Sequence, residues 1–183
     1  MRIQYLAVIL LSLIITSCKT RQPAQYTSLS RCQYEPDTKT TSFTYLGDFG
    51  YTIEIPGQWR HIGFDQNSRD NVFSDSLDQK LFIFKGSRGV SSFNKSNLDC
   101  NEFIRLFYDW DSKWYLDNSP GLEAKVITNS PGKYLVAEYA DDAAERTALY
   151  GTKYGNGVRI TIVSKVDKNP QTDFVVNLYN NLK

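Results

Sequence analysis

Asp99-Cys100-Asn101-Glu102-Phe103-Ile104-Arg105-Leu106-Phe107-Tyr108-Asp109-Trp110 is where the chain changes period. Asp99 and Glu102 have the spacing of a capping box, in which each side chain satisfies a backbone N–H of the other. Phe103, Leu106, Phe107, Trp110 and Trp114 then recur at helical intervals, so one face is apolar. The spacing predicts a helix over 100–116, stopped by Pro120-Gly121, with Phe103, Phe107, Trp110 and Trp114 buried.

Four strands are expected after it: Glu123–Thr128, Lys133–Tyr139, Arg146–Tyr154 and Val158–Val166. Ser130-Pro131-Gly132 and Gly155-Asn156-Gly157 supply turn chemistry between them. Asn169-Pro170 reads as a helix start, and Phe174 and Leu178 lie on the buried face of a second helix over 171–182. Upstream, Phe43–Leu46, Tyr51–Ile55 and Lys80–Lys85 are strand candidates. Residues 60–79 and 86–97 read as polar loops. Strands, helix, four strands and helix define an α+β chain, one antiparallel β-sheet flanked by helices.

The amino terminus carries an address. Arg2 precedes the ten-residue apolar block Leu6–Ile15, too short to span a bilayer but of the length of a signal-peptide core. Ile15-Thr16-Ser17-Cys18 resembles the lipobox of bacterial lipoproteins. That resemblance implies cleavage after residue 17, lipid (diacylglycerol and an acyl chain such as palmitate) on Cys18, and membrane attachment. The segments are then 1–17 as signal peptide, 18–42 as lipidated Cys and flexible tether, and 43–183 as a single domain. Lys19 in place of Asp resembles outer-membrane-sorted lipoproteins, which implies an outer membrane facing the periplasm if the cell is Gram-negative.

Ile55-Pro56-Gly57-Gln58-Trp59 after a strand pair, followed by helix, meander and carboxy-terminal helix, resembles the Mog1/PsbP-like domains. That resemblance implies an α/β/α sandwich over 43–183, in a family of mostly non-enzymatic binding and assembly subunits.

Composition excludes several classes. With 21 Lys and Arg against 20 Asp and Glu, the chain lacks the basic excess of a nucleic-acid binder. One His and three Cys leave few ligands for a transition metal, and no cofactor motif is present. Ser92-x-x-Lys95 and Ser130-x-x-Lys133 lie in loops and lack companion motifs. Asp109 and Asp111, and Asp141 and Asp142, read as solvated charges. Cys32 and Cys100 are left as a disulfide candidate, with two free thiols as the alternative.

The expectation is a membrane-anchored, non-catalytic binding or assembly module for an envelope protein partner. Its candidate contacts are Phe64, Phe73 and Phe93, with Val90 beside them, in the two long loops. The alternatives are an envelope hydrolase using His61 and carboxylates, and a small-molecule carrier.

Overall fold

The computed structural model describes residues 25–27, 29–90, 92–93, 98–140, 144–165 and 171–183. The signal segment 1–17, Cys18, Asn94 and Lys95, Asp141 and Asp142, and Asn169-Pro170 lie outside the described residues, as does the side chain of Val90.

Two antiparallel sheets are present rather than one. Strands β1 (Gln25–Thr27), β2 (Ser30–Glu35), β3 (Thr40–Tyr45) and β4 (Tyr51–Pro56) form a four-stranded meander. Strands β5 (Arg60–Asp65), β6 (Asp70–Ser74), β7 (Lys80–Ser87), β8 (Glu123–Ser130), β9 (Tyr134–Ala140), β10 (Glu145–Lys153) and β11 (Asn156–Ser164) form the second sheet. Its order is β5-β6-β7-β11-β10-β9-β8. Helix α1 (Cys100–Asn118) separates β7 from β8, and α2 (Thr172–Asn181) follows β11.

The seven-stranded sheet is the middle layer. Alternation along β11 sends Val158, Ile160 and Ile162 to one face and Arg159 and Thr161 to the other. The first face meets the four-stranded sheet (Phe43, Ile53, Ile55) and α2 (Val175, Leu178, Leu182) in one core. The opposite face is covered by α1 through Phe103, Ile104 and Phe107, which pack on Leu135, Ala137, Tyr139, Ala148 and Tyr150. The helices thus lie on opposite faces of the sheet, and the small sheet shares a face with α2. The α+β class stands on this arrangement.

Local chemistry explains the joints. Asp99 caps α1 through Oδ1, which accepts from the Glu102 N–H at 2.9 Å, while Glu102 Oε2 accepts from the Asp99 N–H at 3.4 Å. At the other joint, Gly57 takes φ +92°, so the chain turns sharply and Trp59 Nε1 donates to the Pro56 carbonyl at 2.9 Å. Trp59 is buried and lies 6.0 Å from Phe174. The last carbonyls of α2 accept from Lys153 Nζ (Tyr179 O 2.6 Å, Asn180 O 2.8 Å), a cation at the negative end of the helix dipole. Gly151 is needed on β10, because a Cβ there would stand 2.8 Å from both the Lys133 carbonyl and the Tyr179 ring.

Several expectations are corrected. From Gln25 onward the stretch read as tether is sheet: β2 pairs with β3 from Ser30↔Tyr45 to Glu35↔Thr40, and Cys32 is buried. Residues 60–79 contain the β5–β6 hairpin, whose polar residues gave no apolar alternation. Trp110 and Trp114 are 49% and 58% exposed, because α1 turns Phe103, Phe107 and Asp111 inward instead. Phe174 is only half-buried, while Leu178 is fully buried.

Cys32 and Cys100 are free thiols. Cys32 sits in the core between the sheets, beneath the Trp59 carbonyl at 4.0 Å, and burial pushes its thiol pKa up. Cys100 opens α1 and lies 3.8 Å from Arg88 Nη1. In a Cys18→Ser chain, an aromatic disulfide reagent is therefore expected to titrate Cys100 in the folded state and Cys32 only after denaturant is added. Mass mapping of the labelled peptides checks this; an oxidised Cys32–Cys100 peptide in the untreated chain contradicts it.

Candidate functional site

Helix α1 packs chiefly on β8, β9 and β10, reaches β7 and β11 through Phe107 and Asp111, and leaves part of its sheet face open. The uncovered part, over β11, β7 and β6, is a groove of about 910 Å³. Phe82 and Phe84 of β7 and Arg159 and Thr161 of β11 lie along its base. Trp110, Asp111 and Trp114 line the α1 side, and Asn67, Ser68 and Arg69 of the β5–β6 turn line the other.

Arg159 organises this groove. It is 8% exposed, and a charge so placed requires compensation. Its Nη2 donates to Asp70 Oδ2 at 2.7 Å, and its Nη1 donates to Asp111 Oδ1. Asp111 Oδ2 accepts from the Tyr150 hydroxyl at 2.7 Å. With that proton committed, the Tyr139 hydroxyl donates to Tyr150 Oη at 2.9 Å.

Burial opposes the guanidinium charge, but the carboxylates of Asp70 and Asp111 outweigh it and hold Arg159 protonated above its ordinary range. Burial pushes the Asp70 carboxyl up, against the pull of Arg159. Burial first, and then the Asp111 charge, push Tyr150 well above an ordinary phenol; burial does the same to Tyr139. Both hydroxyls are therefore fixed neutral donors. The reading of Asp111 as a solvated charge is corrected: it is 3% exposed. The available signal was Arg159 itself, a charge inside Val158–Val163, a strand apolar on both sides, which demands a buried acid elsewhere.

The expected contact residues separate. Phe73 is fully buried on β6, edge-on to Phe43 at 4.8 Å, so it offers no accessible surface. Phe64 is half-buried and stacks on Tyr45 at 5.6 Å. Phe93 lies on α1, 5.6 Å from Phe103 and from Phe107 and 5.7 Å from Trp110, and it lines the groove.

His61 lies on β5 in a second cleft of about 750 Å³. Its ring packs 4.8 Å from Phe43 and 5.1 Å from Phe73. Its Nε2 is 3.1 Å from Asn71 Oδ1, and Asn71 Nδ2 donates to Tyr51 Oη at 2.9 Å. Burial lowers its pKa below the ordinary imidazole value, partly offset by Asn71. Its hydrogen-bond partner is thus a neutral amide tied into the core, and Asp48 is the carboxylate that lines the same cleft. Among the described residues no three His, Cys, Asp or Glu side chains converge for a metal ion.

No protein-family model matches the chain, and no curated protein matches it. Among solved structures it is similar to the solution structure of cyanobacterial PsbP (CyanoP) from Synechocystis sp. PCC 6803. The identity is 14% and the TM-score 0.47, with 93% of this chain and 98% of that chain covered.

Two outcomes follow from the charges. Arg159→Met leaves Asp70 and Asp111 buried without a counter-charge, and a loss of about 3–5 kcal/mol is expected in urea unfolding. Removing both acids as well, by Asp70→Asn and Asp111→Asn, should recover most of that loss. For His61, the unfolded chain protonates at about pH 6.5 while the folded chain resists. Stability should therefore be full above that pH and fall as pH drops through it towards the lower folded value. In His61→Gln that part of the slope should vanish, as read from urea midpoints across the range.

Proposed function

We propose that the chain is a non-catalytic binding or assembly module of the bacterial cell envelope, held by lipid on Cys18, which recognises a protein partner through the groove beside α1. One observation carries the reading. Trp110 and Trp114, one helical turn apart, expose 49% and 58% of their surface at the rim of the groove. Folding gains little from large rings left in water, whereas aromatic side chains are the commonest anchors of protein interfaces. The resemblance of the Ile55–Trp59 segment to Mog1/PsbP-like domains supports the same class. The lipobox-like Ile15–Cys18 supports the anchor, and Lys19 supports an outer membrane facing the periplasm in a Gram-negative cell.

Trp110→Ala with Trp114→Ala should leave the chain folded at a cost of about 2–4 kcal/mol, since each ring buries only about half its surface. In the source bacterium this double variant is expected to remain membrane-bound and lose its crosslinked partner. Cys18→Ser should release the chain from the membrane, and His61→Ala should leave the crosslink and the phenotype in place. Loss of function in a folded, anchored His61→Ala protein would favour the hydrolase over the binding module.

A further inference from the structure

The groove presents unmet hydrogen-bonding groups as well as apolar surface. Among the described residues, four buried polar atoms of the groove lining make no hydrogen bond: Arg159 Nε, Thr161 Oγ1, Ser68 Oγ and Asp70 Oδ1. Arg159 and Thr161 are 8% and 3% exposed, and both line the groove. Their side chains stand on one face of β11, two residues apart, so their Cα atoms are roughly 7 Å from each other. The great majority of buried polar atoms in proteins are paired; the Ser68 hydroxyl acts on the Asp70 carboxylate and lowers its pKa, so Arg159 and Thr161 define what an occupant must supply: an acceptor for Nε, and a partner for a hydroxyl that can donate or accept.

Charge narrows the class further. Asp65, Asp70 and Asp111 face Arg69, Lys80, Arg146 and Arg159 around the groove. These charges nearly cancel, and several are already engaged. Asp70 and Asp111 hold Arg159, Asp78 holds Lys80 at 2.5 Å, and Arg146 lies over the Tyr115 ring at 5.1 Å. An anion at Arg159 would meet two carboxylates, and a cation would meet the guanidinium. The rest of the lining is largely aromatic, with Phe82, Phe84, Phe93, Trp110 and Trp114 among it. An acyl chain would suit those rings but leave Nε and Oγ1 dry and unpaired. A saccharide would pair them but place hydroxyls against the rings.

Deepening the binding-module reading, on which it rests, we infer that the groove takes an uncharged peptide segment of the protein partner. Its apolar side chains lie against Trp110, Trp114 and Phe93. An amide, either of its backbone or of an Asn or Gln side chain, meets the base: the carbonyl accepts from Arg159 Nε and the N–H donates to Thr161 Oγ1. A peptide supplies apolar bulk and an amide together.

The test is selection of a phage-displayed random peptide library on the full-length Cys18→Ser chain. Capped synthetic peptides of the enriched sequence are then titrated by tryptophan fluorescence. The expected consensus is uncharged, with apolar residues flanking Asn, Gln or a bare backbone position. Substituting Glu or Lys at its centre should weaken binding at least tenfold. Thr161→Val, which replaces an unpaired hydroxyl by a methyl and should fold, is expected to weaken it about fivefold, roughly the value of one hydrogen bond. A charged consensus, or a Thr161→Val chain that binds as tightly as the parent, overturns the peptide inference while leaving the binding module standing, provided binding still requires Trp110 and Trp114. Binding unaffected by Trp110→Ala with Trp114→Ala, or no enriched peptide at all, overturns the inference, and the first of these removes the groove from the binding-module reading too.

Discussion

Arg159 brings a full positive charge onto the face of a seven-stranded sheet, and much of the architecture follows from where its two counter-charges must stand. Moving an ion of that size out of water costs several kcal/mol even after the protein relaxes. Asp70 comes from β6, distant in sequence, and Asp111 comes from α1. The first pins the β5–β6 hairpin to the sheet beside β7. The second sets the rotation of α1 about its axis. With Asp111 turned inward over Arg159, Trp110 and Trp114 are carried towards solvent. One buried cation therefore accounts for a helix whose aromatic rings are partly in water and whose acid is not.

This is also where local sequence reasoning stops. The helix over 100–116, the following meander and the second helix were legible because period and turn chemistry are local: Asp99 with Glu102, Ser130-Pro131-Gly132, and Gly155-Asn156-Gly157. The buried face of α1 was legible only at Phe103 and Phe107. Along Asp109-Trp110-Asp111 hydrophobicity favours the Trp and charge favours exposure, and the reversal is decided by an arginine 48 residues further on. Strands β5 and β6 were hidden for a related reason. Asp70, Asn71 and Ser74 are buried, but as members of pairs with Arg159, Tyr51 and Lys80, so their polarity reads as loop. In β2 only Ser30 and Cys32 are buried, which leaves a polar string resembling a tether. A strongly apolar strand interrupted by one Arg was the remaining clue to the site, and it names the need for an acid without naming which.

The choice of arginine matters for what the groove can do. A lysine would place a single rotatable ammonium between two carboxylates. The guanidinium is a rigid plane that pairs with two acids through its two Nη atoms and still presents Nε in a direction set by the other two. Asp111 is itself held by Tyr150, and Tyr150 by Tyr139, so the orientation is transmitted from the packed part of the sheet to the open part. A donor fixed in this way loses little freedom when a ligand arrives. The same ion pairs that set the rotation of α1 thus leave the groove nearly neutral, with an oriented donor at its base and aromatic rings at its rim. That combination favours recognition of an uncharged, partly apolar segment over attraction of a charged one.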